Sequence, residues 1–130
     1  MSSLRHIVIA DDDPQVRMLL VRMVGCYHVH MHITEVDNGL NALRVCISQP
    51  VDLLITDNQM PGMWGVDLAH ALRLRKITIP IVMVSGSMPD IAIGLEASIN
   101  HFLTKPISLA QLTQVLAETL RLPQERQVAS

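Results

Sequence analysis

Short apolar segments recur along the chain, and stretches with helical spacing separate them. Four of the five segments are apolar almost throughout, which is typical of parallel strands covered on both faces of a sheet. The second alternates apolar and polar residues, which favours an edge strand. We therefore predict five β-strands, over His6–Ala10, Val29–Val36, Val51–Thr56, Ile81–Val84 and Phe102–Leu103, of which the last is too short to be assigned from the pattern alone.

Five helices are predicted between and after these strands. The first begins after Asp13, a good N-cap, with Pro14 at a position where a missing N–H costs nothing. A fourth is predicted over Asp90 to Ser98, and Pro123 ends the fifth. Apolar residues at helical spacing mark the other helices: Val16, Leu19, Leu20, Met23 and Val24; Leu40, Leu43 and Ile47; Val66, Ala69 and Leu72; Leu109, Leu112, Leu116 and Leu120. Strands that alternate with helices over short links predict a doubly wound parallel α/β sheet.

Polar residues follow the predicted strands at the point where each strand ends. In a parallel sheet the carboxyl ends of the strands form the functional edge. Asp11 and Asp12 follow the first strand, Asp57 the third, Ser85 the fourth and Lys105 the fifth. We therefore expect these side chains to meet at one edge.

The three acids favour a cation. Two carboxylates 4 Å apart repel by about 4 kcal/mol at an effective dielectric near 20, so the cluster must take up a proton or bind a cation. Carboxylate oxygens open to water favour Mg²⁺, and a carboxylate nucleophile can form an acyl phosphate. With the charge of Lys105 and the hydroxyl of Ser85, the residues predict a Mg²⁺-dependent, phosphoryl-accepting site.

Composition narrows the class of protein. A chain of 130 residues, 49% hydrophobic and 17% charged, is typical of one globular domain. A net charge of −2 with 2% aromatic residues argues against direct nucleic-acid binding. No apolar run is long enough for a membrane helix and no secretory signal is visible, so we expect a cytoplasmic protein. Cys26 and Cys46 are predicted to be buried packing residues.

Five segments together resemble the receiver domain of bacterial two-component response regulators: IVIADDDPQVR, VDNGLNAL, DLLITDNQMPGMWGVDL, IPIVMVSG and FLTKP. The resemblance covers nearly the whole chain. It implies a five-stranded parallel sheet in the flavodoxin-like order 2-1-3-4-5, with five helices in a three-layer αβα sandwich. The receiver domain would span residues 1–122, and residues 123–130 would be a polar tail or the start of a linker.

The resemblance also implies roles for individual residues. Asp57 would accept the phosphoryl group. Asp12, Asp57 and the backbone carbonyl of Gln59 would ligate Mg²⁺ directly, and Asp11 through water. Lys105 would be the site lysine, its bond to the following proline is often cis in this family, and Ser85 and Phe102 would be the switch pair.

The same resemblance implies partners rather than an independent enzyme. The donor would be a histidine kinase or a histidine phosphotransfer protein, and the receiver would assist its own Mg²⁺-dependent phosphorylation and dephosphorylation. The signal would pass to a downstream protein or output domain. A phosphorylation-dependent dimer is allowed, although Ser98, Ile99, Asn100 and His101 depart from the family pattern on one dimerisation face.

Two other functions remain as alternatives. One is a pseudo-receiver, a binding module that works without phosphorylation. The other is an aspartyl-phosphate phosphatase of the haloacid dehalogenase type, suggested by Asp11 and Asp13, but Gln15 departs from that motif and Asp57 would be unexplained.

Several residues have simpler interpretations than metal binding. Asp13 is better explained as a helix cap than as a ligand. His28 and His32 would lie roughly 13 Å apart on an extended strand, so with His30 they fit one metal ion poorly. Trp64 stands where the family usually has a small acidic or polar residue, near the predicted site, and is interpreted as a partner contact or a partial lid.

Overall fold

The computed structural model describes residues 4–27, 30–86 and 98–120. Five strands and four helices lie within these ranges: β1 (Arg5–Ala10), α1 (Pro14–Tyr27), β2 (Met31–Val36), α2 (Gly39–Ser48), β3 (Leu53–Asp57), α3 (Gly65–Leu74), β4 (Ile81–Ser85), β5 (His101–Thr104) and α4 (Leu109–Leu120). The α4 helix is the fifth of the predicted helices. The fourth, expected over Asp90 to Ser98, lies outside the described residues except for Ser98, which is in a turn.

All four strand pairings in the sheet are parallel, and the strand order is β2-β1-β3-β4-β5. The predicted order is therefore confirmed, as is the edge position of β2. Ala10 lies opposite Thr56 in the pairing of β1 with β3, so Asp11 and Asp57 are the next residues along neighbouring strands.

Helices cover both faces of the sheet. Side chains alternate between the two faces along each strand, so the apolar strands present apolar side chains on both faces. Helices α2 and α3 pack on one face and α1 and α4 on the other. The core between the sheet and helices α2 and α3 includes Val8, Leu54, Met83, Leu43 and Leu72. The core between the sheet and helices α1 and α4 includes Ile7, Ile55, Val84, Leu20 and Leu116. Burial on both faces explains why these strands are apolar almost throughout.

Three helices begin with a cap from the residue that precedes them. The Asp13 carboxylate accepts a hydrogen bond from the Gln15 amide at 2.9 Å, as predicted. The Asn38 side chain accepts from the Asn41 amide at 2.8 Å, and the Ser108 hydroxyl from the Gln111 amide at 3.3 Å. These bonds satisfy amide donors that have no partner within the helix. They fix where α1, α2 and α4 start.

Arg73 ties together the edge of the sheet opposite the predicted site. Its guanidinium donates to the carbonyls of Ile77 and Ile79 at 2.9 and 2.8 Å. It also donates to the Ser98 carbonyl at 2.9 Å and to the Asn100 side chain at 3.1 Å. One side chain on α3 thus forms hydrogen bonds with the segments that precede β4 and β5, and these bonds hold this end of the sheet together.

One prediction about the cysteines is wrong. Cys46 is buried as expected, and burial raises the pKa of its thiol to about 12. Cys26 is exposed, because it lies on the outer face of α1 near the end of that helix. His30 and His32 are exposed, as expected for an edge strand, and His28 lies outside the described residues. None of the helices that the structure describes has both the length and the apolar character needed to cross a bilayer.

Candidate functional site

Three carboxylates meet at the carboxyl edge of the sheet. One oxygen from each of Asp11, Asp12 and Asp57 lies within 4.8 Å of the others, and among the described residues this is the group arranged to hold a metal ion. Asp11 is completely buried and Asp12 is exposed. The Asp57 side chain is 12% exposed. The expectation that residues at the ends of parallel strands meet at one edge of the sheet thus correctly predicted that these three acids converge.

Burial dominates the electrostatics of the two inner acids. It raises the pKa of the Asp11 and Asp57 carboxyls above their ordinary values, because loss of water disfavours the charged form. Lys105 acts in the opposite direction. Its Nζ lies 3.5 Å from Asp57 Oδ1 and 3.8 Å from Asp11 Oδ2.

The donor set fits a small, hard cation. Asp11 Oδ1 accepts a hydrogen bond from the Asp13 amide at 2.9 Å. Asp11 Oδ2 is buried and has no hydrogen-bond partner among the described residues. Burial of a carboxylate oxygen without a hydrogen bond lowers the stability of the folded state. Oxygen ligands of this kind, with one acid exposed to water, are those that suit Mg²⁺.

Lys105 and Ser85 are brought to the same edge by neighbouring strands. Ser85 ends β4 one residue beyond Val84, which lies opposite Asp57. The Lys105 amide donates to the Ser85 carbonyl at 3.1 Å, so the two backbones are joined where the strands end. The Lys105-Pro106 peptide bond is cis.

Ser85 and Phe102 lie on the same face of the sheet. Phe102 is opposite Met83 in the β4–β5 pairing, and Ser85 follows Met83 by two residues. Met83 belongs to the core beneath α2 and α3, and Phe102 packs partly buried against that core. Because Ser85 and Phe102 share this face, a movement of the Ser85 hydroxyl can change the packing around the Phe102 ring.

The loop after Asp57 carries Gln59 and Trp64. Gln59 is exposed two residues beyond Asp57. Trp64 is 48% exposed and directly precedes α3, so its predicted place on the loop after Asp57 is correct.

Sequence reasoning missed two residues beside the acids. Arg17 donates to the Asp11 carbonyl at 2.7 Å and pairs with Glu35 at 3.2 Å. Asn58, directly after Asp57, is fully buried, and its side chain accepts from the Val66 amide at 3.0 Å. The one signal for Asn58 was an amide residue at the end of an apolar strand. Arg17 gave no signal beyond its polar place in the first helix.

Comparison with known proteins gives a family match over most of the chain. The family model described as the response regulator receiver domain matches residues 7–117. The cyclic di-GMP phosphodiesterase response regulator RpfG of Xanthomonas campestris pv. campestris is 33% identical over 124 residues, which cover 92% of this chain and 33% of that protein. The response regulator protein PilR of Pseudomonas aeruginosa is 32% identical over 117 residues, covering 88% of this chain and 26% of PilR. The chain thus spans a third or less of these two relatives.

Solved structures show the same fold. A putative response regulator from Chloroflexus aurantiacus J-10-fl aligns with a TM-score of 0.83 at 27% identity, covering 92% of this chain and 100% of its own. The receiver domain of a sensor histidine kinase from Pseudomonas aeruginosa PAO1 aligns with a TM-score of 0.83 at 22% identity, over 92% of this chain and 100% of its own. That structure has a magnesium ion coordinated in its active site cleft.

Proposed function

This chain belongs to the response regulator receiver family, and we propose that it accepts a phosphoryl group on Asp57 with Mg²⁺ held by its acid cluster. Receiver domains are signalling switches of two-component systems, and Mg²⁺-dependent phosphorylation of an aspartate is general for them. The observation that carries the proposal is the convergence of Asp11, Asp12 and Asp57 within reach of Lys105.

Burial supports Asp57 rather than Asp11 as the acceptor. Asp11 is completely enclosed, and one of its oxygens already accepts a hydrogen bond from the Asp13 amide. Asp57 retains partial exposure, so a donor can approach it from the solvent. Asp12, Asp57 and the Gln59 carbonyl are proposed as direct ligands of Mg²⁺, and Asp11 as a ligand through water.

The transfer step is a displacement at phosphorus. An Asp57 oxygen attacks the phosphoryl group of a phosphohistidine, a new O–P bond forms, and the P–N bond breaks with its electron pair left on the imidazole. Lys105 pairs with the incoming phosphoryl oxygens, since its Nζ already lies 3.5 Å from Asp57 Oδ1. When bound, Mg²⁺ supplies charge neutralisation and orientation of the phosphoryl oxygens. The same groups would assist hydrolysis of the acyl phosphate.

The switch is proposed to run from Ser85 to Phe102. The Ser85 hydroxyl moves towards the phosphoryl group, and Phe102 turns into the space that this movement vacates. Their common face of the sheet supports a coupling between the two side chains. Phe102 has no hydroxyl, so it signals through packing alone.

The partners follow from the family. Receiver domains interact with histidine kinases or phosphotransfer proteins, and with output domains. For this chain we propose a phosphohistidine donor, a downstream protein or output domain, and a dimer that depends on phosphorylation. A further helix over residues 90–98, a receiver boundary at residue 122, a polar tail over residues 123–130 and a cytoplasmic location belong to the same proposal.

The test is to incubate the protein with Mg²⁺ and acetyl phosphate and to weigh it intact. We expect one phosphoryl adduct that is stable in acid, labile in base and dependent on Mg²⁺. It should be lost in Asp57→Ala and kept in Asp67→Ala, since Asp67 is an exposed acid on α3.

The alternatives predict other results. No adduct from acetyl phosphate or from a phosphohistidine donor would support a pseudo-receiver. An adduct kept in Asp57→Ala but lost in Asp11→Ala would support a phosphatase of the haloacid dehalogenase type.

A further inference from the structure

We propose that Asn58 is a positioning residue that ties the start of α3 to Asp57 and thereby holds the backbone of the acid cluster in place for Mg²⁺. The inference rests on the proposed function, because it concerns how the same site is held.

The residue directly before α3 does not cap this helix. Trp64 occupies the N-cap position and makes no side-chain cap hydrogen bond, because an indole ring has no acceptor oxygen. The first amides of a helix have no partner within the helix. In α3 their acceptors come from a residue six positions before Trp64.

Asn58 supplies both acceptors. Its backbone carbonyl accepts from the Gly65 amide at 2.7 Å, and its side-chain oxygen accepts from the Val66 amide at 3.0 Å. Among the helices that the structure describes, α3 differs from α1, α2 and α4, each of which has a cap from the residue directly before it. The side chain of Asn58 is therefore both the cap of α3 and part of the loop that leaves Asp57.

The helix start also lies directly against the backbone of the proposed acceptor. A Cβ added to Gly65 would lie 2.5 Å from the Asp57 carbonyl oxygen and 3.0 Å from Asn58 Cα. The Thr56 hydroxyl donates to that same carbonyl at 2.7 Å. Contacts with α3 thus hold the two peptide groups that flank Asn58. These two peptide groups join Asp57 to Gln59.

This arrangement gives Asn58 two roles, as the cap of α3 and as a support for the backbone after Asp57. A cap at position 64 would stabilise α3 alone, whereas a cap from Asn58 also fixes the backbone between two proposed ligands. Removal of Asn58 should therefore weaken Mg²⁺ binding even when α3 is capped in another way.

The test compares Asn58→Ala, Trp64→Ser and the double variant. Serine is a strong N-cap residue without charge, so Trp64→Ser offers α3 a local cap. Calorimetric titration with Mg²⁺ and hydrogen exchange of the Gly65 and Val66 amides are measured for each variant and for wild type.

In Asn58→Ala we expect about fivefold faster exchange of the Val66 amide, the effect of losing one cap. We also expect a Mg²⁺ dissociation constant raised by about tenfold, at the lower end for loss of a partner that orients metal ligands. In the double variant, exchange should return to the rate in Trp64→Ser while the dissociation constant stays raised. If Asn58→Ala does not fold, the double variant carries the same comparison.

Equal Mg²⁺ affinity in the double variant and in Trp64→Ser would overturn the inference, because Asn58 would then act as a cap alone. Absence of Mg²⁺ binding by wild type would instead overturn the proposed function, and this inference with it. The wild-type titration therefore distinguishes the two failures.

Discussion

At the scale of single residues, charge explains why this site should take a divalent cation. Three ionised carboxylates and one ammonium group leave two negative charges at the edge of the sheet. Burial of Asp11 and Asp57 makes that excess costly. One divalent cation would neutralise it, and Lys105 would remain available for phosphoryl oxygens.

Lys105→Met should separate phosphorylation from metal binding. We expect phosphorylation by acetyl phosphate to slow by about 10²-fold, the loss typical of removing one group that stabilises transition-state charge. Mg²⁺ affinity should be equal or higher, because a positive charge leaves the cluster. Single-turnover rates and Mg²⁺ titration measure the two effects. Lys76→Met is the control, since Lys76 is exposed and is the other of the two lysines in the chain. A similar loss of rate in both variants would contradict the role of Lys105.

The two cysteines should differ in reactivity. With a pKa of about 12, Cys46 is about one part in 10⁴ thiolate at pH 8, and the thiolate is the reactive form. A thiol reagent should modify one cysteine in the native protein and two in urea, and Cys26→Ser should show none in the native protein. Because the folded-state pKa lies above the ordinary 9.0, the folded state binds more protons, and the free energy of unfolding should fall as pH rises from 9 to 12. Equal native rates at both cysteines would show that Cys46 is not enclosed.

At the scale of elements, the loop after Asp57 is held by the starts of two helices. The backbone of Gly65 lies against Asp57, and that of Gly39, the first residue of α2, lies against the Met63 carbonyl. Only a glycine leaves room for such close approaches of backbone to backbone. The site is therefore built on the junction of β3, α2 and α3 rather than on a free loop.

A matched pair of glycine substitutions tests this junction. Gly65→Ala places a Cβ 2.5 Å from the Asp57 carbonyl, and we expect it to lower the free energy of unfolding by about 1–3 kcal/mol. Gly25→Ala in α1 meets nothing within 4 Å and should raise it by about 0.5–1 kcal/mol, since alanine favours a helix. Urea unfolding measures both. Stabilisation by both substitutions would mean that α3 does not press on the backbone of Asp57.

At the scale of the whole molecule, the sequence predicted those features that depend on periodicity. Strands buried on both faces, such as Ile7 to Ala10, are apolar throughout, and a parallel sheet brings Asp11, Asp57, Ser85 and Lys105 to one edge. The exposure of Cys26 was not predicted, because near the end of a helix the sequence does not distinguish a buried cysteine from an exposed one. The cap from Asn58 was not predicted either, because it depends on how the loop between residues 58 and 65 closes.

Metal binding should stabilise the whole domain. A ligand that binds only the folded state at ten times its dissociation constant adds about 1.4 kcal/mol to the free energy of unfolding. We expect this increment from Mg²⁺ in wild type and its loss in Asp12→Ala. Asp13→Ala should lower the free energy of unfolding by about 1 kcal/mol through loss of a cap, yet keep the Mg²⁺ increment. Urea unfolding with and without Mg²⁺ measures both, and an increment unchanged in Asp12→Ala would argue against Asp12 as a ligand.

The most direct measurement of the central claim is the position of the phosphoryl group. Wild-type protein is phosphorylated with acetyl phosphate and Mg²⁺, reduced with borohydride, which converts an aspartyl phosphate to homoserine, and digested for peptide mass spectrometry. We expect homoserine at position 57 and aspartate at positions 11, 12 and 13. Homoserine at position 11, or no homoserine in the peptide that contains residue 57, would contradict it.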